Sequence, residues 1–149
     1  MKLVLLALIA CSVLFVGCVS VPMTSAALDS EAKKFAVETD KANIYVNLTS
    51  SIDTGPMIQI VLDGRVVGSL SPNTYQLLNV SPGEHTVTVI GAENVRQQKL
   101  TVEAGKNYFL KVSAHMGWNA ARVNLEPLNE EQGREEVMNS KRAETTNYQ

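Results

Sequence analysis

Few side chains in this sequence could carry chemistry, and their spacing argues against catalysis. His85 and His115 are its two imidazoles, with neither the HxH nor the HxxxH spacing that would hold zinc. A hydrolase needs a nucleophile within hydrogen-bond reach of an oriented base. Ser69, Ser71, Ser81 and Ser113 stand instead in turn or strand contexts, outside any nucleophile-elbow pattern. Asp53, Asp63, Glu84 and Glu93 could form paired carboxylates, but nothing in their spacing brings two together. No catalytic residue, metal or cofactor is therefore expected. His85 should end a strand beside a Pro-Gly turn and bond locally, and His115 should be solvated in the loop Ala114 to Asn119. That loop holds Trp118, the sole Trp. Flanked by Gly117 and Asn119, it would offer a rigid aromatic contact to a polypeptide or sugar, or else fold back as a plug over the sandwich.

The other reactive group is a thiol. Met1-Lys2 leads into an uncharged apolar run that ends at Gly17-Cys18, the architecture of a secretory signal with its cleavage point. Leu3 to Val21 approaches the roughly 20 residues that a membrane span needs, yet Gly17, Ser20 and Pro22 break the run where cleavage should fall. Leu14-Phe15-Val16-Gly17-Cys18 resembles the bacterial lipobox. The resemblance implies a thioether-linked diacylglycerol and an N-acyl chain such as palmitate on Cys18, which would attach the protein to a membrane. Val19-Ser20 after the cysteine, in place of Asp, implies sorting to the outer membrane, facing the periplasm. Leu8-Ile9-Ala10-Cys11 fits the pattern locally but leaves an apolar core of only about seven residues, the bottom of the signal range. Cys18 is the expected lipidation site. With Cys11 removed and Cys18 acylated, no thiol remains for disulfides or metal.

A formal net charge of −2 argues against nucleic acid, which requires a basic patch. It also argues against electrostatic docking on anionic lipid, leaving the acyl chains to hold the membrane. The expected organisation is a signal peptide at 1–17, the lipidated Cys with a tether and short helix at 18–40, a β-sandwich at 41–128, and a short helix or disordered tail at 129–149. The tether, Val19 to Ser30, reads as flexible. Asp29 or Ser30 is expected to cap a short helix at Glu31 to Ala36, docked through Phe35.

From Lys41 the pattern changes to period two. Ile44, Val46 and Leu48 alternate with Tyr45, Asn47 and Thr49, the mark of a half-buried strand. Further strands are expected at Met57 to Leu62, Arg65 to Gly68, Tyr75 to Val80, His85 to Ile90, Val95 to Glu103, Asn107 to Ser113 and Arg122 to Glu126. Asp63-Gly64 suits a tight hairpin and Pro82-Gly83 a type II turn. Short strands with almost no helix between them predict an all-β fold, a single antiparallel β-sandwich of immunoglobulin-like size. Leu62-Asp63-Gly64-Arg65-Val66-Val67-Gly68 and Ser81-Pro82-Gly83-Glu84-His85-Thr86-Val87 resemble the PEGA-type sandwich repeat. Together with Gly17 to Met23, Lys33, Phe35-Ala36 and Gly105 to Phe109, they also resemble a family of bacterial lipoproteins known only as a domain of unknown function. That resemblance implies a fold and no catalytic residue.

Asn129 with Gln132 fits a capping box, and Glu130 and Arg134 would pair at i, i+4. With few apolar positions and an internal Gly133, the helix from Glu130 to Arg142 is expected to fray into a disordered end. The expected function is a lipid-anchored cell-envelope protein acting as a non-catalytic binding or assembly module, its partner an envelope protein or polysaccharide. A structural spacer of an envelope complex is the alternative, and a small-molecule sensor or enzyme ranks third.

Overall fold

The eight period-two segments form strands in a computed structural model that describes residues 20–49 and 57–146, and a ninth, unexpected short strand lies near the C-terminus. The expected signal peptide, Cys18 and Asp53 lie outside the described residues. Strands β1 (Ala42–Leu48), β4 (Thr74–Val80), β7 (Asn107–Met116), β8 (Ala121–Leu128) and the short β9 (Lys141–Arg142) make one sheet in the order β8-β7-β1-β4-β9. The second sheet, ordered β3-β2-β5-β6, contains β2 (Ile58–Leu62), β3 (Arg65–Leu70), β5 (Gly83–Ile90) and β6 (Val95–Val102). Two short helices, α1 (Ala26–Ala32) and α2 (Glu130–Met138), accompany them in an all-β, sandwich-like fold. The Asp63-Gly64 turn has both residues at positive φ, 48° and 83°, as a tight hairpin requires.

The expectation of a purely antiparallel sandwich needs correction. β1 pairs β7 in parallel, from Asn43 opposite Asn107 to Leu48 opposite Val112, and β9 pairs β4 in parallel. The chain leaves the first sheet after β1, returns for β4, crosses again for β5 and β6, and comes back as β7 beside β1. Side-chain alternation is the same whichever way a neighbour runs, so the period carries no information on direction.

Between the sheets, Ile44, Val46, Leu48, Leu110 and Val112 meet Ile60, Val67, Val87 and Val89 in a buried apolar core. Burying each such side chain contributes about 1.5–3 kcal/mol. β1 was expected to be half-buried, but all seven of its residues are buried. Its other face lies under the helices, where Tyr45, Tyr75, Phe109, Phe35, Ala32 and Val137 form a second cluster. Tyr45 and Phe109 are register partners and stack with centroids 5.1 Å apart. Burial of Asn43 on this face is satisfied by a ladder across three adjacent strands. Asn79 Nδ2 donates to Asn43 Oδ1 at 3.1 Å, and Asn43 Nδ2 donates to Asn107 Oδ1 at 3.2 Å and Ala36 O at 2.9 Å. Asn107 Nδ2 donates in turn to Phe35 O at 2.9 Å. The ladder fastens the segment that follows α1.

That helix begins at Ala26, where Glu31 was expected, with Ser25 as the cap accepting from Leu28 N. Asp29 sits inside it and acts as a hub. Its carboxylate accepts from Lys33 Nζ, the Tyr75 hydroxyl and Arg142 N at 2.9, 2.8 and 3.1 Å. Phe35 then turns at φ 56° and docks, 8% exposed.

The flexible tether and the frayed tail are also corrected. Val21 is buried, Glu144 N donates to Pro22 O, and Thr24 N donates to Arg142 O. Lys141 N and Ala143 N donate to Asn73 O and Tyr75 O, and Thr146 N reaches Val67 O. The two segments are held by backbone pairing at the β4 edge, which side-chain periodicity does not announce. The helix α2 has the expected Asn129 cap, accepting from Gln132 N at 2.9 Å, and the Glu130–Arg134 pair. Its Gly133 is needed for contact, since a Cβ there would strike the Phe109 ring. Among the described residues, no helix is long and apolar enough to cross a membrane.

Gly133→Ala should therefore destabilise the protein by about 1–3 kcal/mol through overpacking, although Ala favours an isolated helix by about 1 kcal/mol. Urea unfolding of both proteins measures the sign directly.

Candidate functional site

β7 and β8 form a hairpin whose turn closes with Gly117 N donating to Ala120 O at 2.8 Å. Trp118 stands on this turn, 90% exposed, and does not fold back as a plug. Met116 and Val95 are exposed at the same end of the sandwich.

The turn is organised from another loop. Glu93, between β5 and β6, places Oε1 against Asn119 N at 2.5 Å and Ala120 N at 2.6 Å. Its Oε2 accepts from Trp118 N at 3.2 Å and Arg122 Nε at 3.0 Å. Next to it, Asn94 bonds both backbone groups of Val123, each at 2.8 Å, much as a neighbouring strand would. Gly117 permits the approach, because a Cβ there would strike Glu93 Oε2. The backbone N–H of Asn119, then that of Ala120, with Arg122 and Trp118 also donating, outweigh desolvation and hold the Glu93 carboxyl down at about 2. Sequence spacing treated Glu93 only as one of several scattered carboxylates. The donors lie 25 to 29 residues downstream, and no local motif links them.

His85 does bond locally. Its Nδ1 is 2.7 Å from Asp63 Oδ2 and its Nε2 is 2.8 Å from Ser81 O. Both partners are acceptors, so the doubly protonated ring satisfies both. Burial opposes the charge, but Asp63 and the Ser81 carbonyl outweigh it and raise the His85 pKa. With both nitrogens engaged, His85 addresses no serine hydroxyl, and the Asp63–His85 pair does not build a nucleophile. His115 is exposed near the end of β7, opposite Arg122. Glu84 lies 4.0 Å from Lys99 across the β5–β6 pair. Among the described residues, no group of three His, Cys, Asp or Glu could hold a metal ion.

Two outcomes follow. Glu93→Ala should speed amide exchange at Trp118, Asn119 and Ala120 while leaving the core strands protected. In the native protein, where the carboxyl is depressed, the same amides should stay protected from neutral pH to well below pH 4 and loosen as pH falls toward about 2. The raised His85 pKa works in the opposite direction. Its stabilisation is complete below the unfolded value near ~6.5 and is lost as pH rises through the folded value. His85→Gln should flatten the fall in thermal midpoint between about pH 6 and pH 9.

The comparisons with known proteins concern the sandwich and its approaches. An uncharacterized protein of Haemophilus influenzae is 25% identical to this chain over 131 residues, covering 87% of this chain and 78% of the relative. Residues 38–125, more than half of the chain and spanning β1 to most of β8, match the model of a family described as Protein of unknown function (DUF2846). On that match, the chain belongs to the DUF2846 family.

Proposed function

We propose that this protein is a lipid-anchored component of the bacterial cell envelope whose sandwich, PEGA-like or immunoglobulin-like in kind, acts as a non-catalytic binding or assembly module through Trp118. The observation that carries the reading is the presentation of that side chain. The indole is 90% exposed, and the turn backbone that presents it is fixed before any partner arrives, because Glu93 gathers its three N–H groups. A rigid aromatic contact loses little conformational freedom on association, and such residues commonly dominate binding energy. The partner class is an envelope protein or polysaccharide. A nucleic acid is disfavoured by the acidic balance of the chain. The membrane attachment is assigned to acyl chains on Cys18, including palmitate, and the location to the outer membrane on its periplasmic side. This part rests on the lipobox resemblance.

Intact mass spectrometry of membrane-extracted protein should show loss of residues 1–17 and added acyl mass on Cys18; an unmodified N-terminus would remove the anchor from the proposal. Trp118→Ala should leave the thermal midpoint unchanged and abolish capture of a cross-linked partner in cells. A lowered midpoint with capture intact would make Trp118 a structural residue and favour the spacer reading.

A further inference from the structure

The chain has almost no slack between its expected anchor and its fold. Val21 is 3% exposed and packs into the sandwich core. Pro22 O accepts from Glu144 N at 2.8 Å, and Thr24 N donates to Arg142 O at 3.1 Å. Cys18 stands three residues before Val21, and three fully extended residues span at most about 11 Å. Lipid on Cys18 would therefore bring the bilayer to the margin of the sandwich where Val21 enters it.

That margin is poorer in charge than the broad faces. Beside the exposed Pro22 runs a groove of about 230 Å³ whose lining includes Val21, Met57, Gly68, Ser69 and Thr145, with Glu144 as its charged residue. Glu84 and Lys99 project from the second sheet, and α2 exposes Glu130, Glu131 and Glu135 over the first. Laying either broad face against lipid would strip water from those charges.

We propose that this margin rests directly on the headgroup layer of the phospholipid bilayer, so that the sandwich stands edge-on and holds the Trp118 turn away from the lipid. The inference rests on the Cys18 anchor reading and adds an orientation to it. In the sheet order β8-β7-β1-β4-β9, the segment through Val21 lies beside β9, whereas the Trp118 turn joins β7 to β8. Three to four strand spacings, about 15–20 Å, separate them. An indole displayed there meets partners in the aqueous space and stays out of the membrane interface, which Trp otherwise favours. The contact needs little affinity of its own, because the short link keeps the margin at high effective concentration beside the lipid.

The test uses the full chain purified from membranes, its acylation checked by intact mass, and reconstituted in phosphatidylethanolamine–phosphatidylglycerol vesicles containing a phospholipid spin-labelled at the headgroup. Native Trp118 should keep most of its emission. In a Trp118→Phe background, Pro22→Trp or Met57→Trp should lose most of its emission to the label, equally at low and high salt, since no charge pairing is involved. A Gly-Ser insert of about 12 residues before Val21, spanning about 20 Å, should restore it. If Pro22→Trp does not fold, Met57→Trp carries the decision. Acylated protein in which Trp118 is quenched as strongly as positions 22 and 57, or in which none is quenched, overturns the orientation and leaves the anchor standing. Quenching that survives the insert overturns the role of the short link. Absence of acyl mass removes the anchor and this inference together.

Discussion

A central strand with no wet face constrains the rest of this molecule. Every residue of β1 is buried, so every polar group on it needs a partner inside the protein. Its backbone is paired by β4 on one side and β7 on the other. Its side chains divide between two cores, with Ile44, Val46 and Leu48 in the sandwich and Tyr45 in the aromatic cluster under the helices. Asn43 and Asn47 would be costly on such a strand, and each is answered. The Asn ladder satisfies the first, and Ser140 Oγ and Glu136 O accept from the second at 2.7 and 3.2 Å.

The terminal segments follow from the same constraint. Neither α1 nor α2 is long enough to be stable alone in water. Both are required to cover Tyr45, Tyr75 and Phe109, and each is fastened at several points. Arg134 of α2 lies 4.5 Å from the centre of the Phe35 ring. Lys111 of β7 pairs with Glu136 of α2, and Asp29 joins α1 to β4 and β9. The segment leading into α1 and the one leaving α2 then pair with each other at the β4 edge, where Met23 bridges Ala143. An edge that would otherwise expose unpaired backbone is thereby closed.

The Trp118 turn uses a similar economy of backbone satisfaction. Three N–H groups of a tight turn find no strand partner, and one carboxylate takes all of them. Part of this was legible in the residues. A sole Trp between Gly117 and Asn119 left a displayed aromatic and a plug both open, and His85 beside Pro82-Gly83 suggested a local bond. The Glu93–Asn94 clamp was not legible, because its donors come from a different hairpin and only the packing of the β5–β6 loop on β8 brings them within reach. Likewise, Gly133 reads in sequence as a weak point in a helix, whereas the nearness of Phe109 makes it a requirement.

By itself the sequence determined the all-β class, the approximate positions of β1 to β8, the Asp63-Gly64 turn and the Asn129 cap. These depend on alternation, on allowed φ and on hydrogen bonds between near neighbours, all of which act over a few residues. Tertiary structure alone decided that β7 runs parallel to β1, that the segments around Val21 and Ala143 join the fold, and that Glu93 orders the Trp118 turn. Those outcomes depend on which backbone edges and which unsatisfied N–H groups meet across long separations. A local pattern of residue types carries no record of such meetings, because the same alternation is compatible with either strand direction and the same carboxylate with either water or a distant turn.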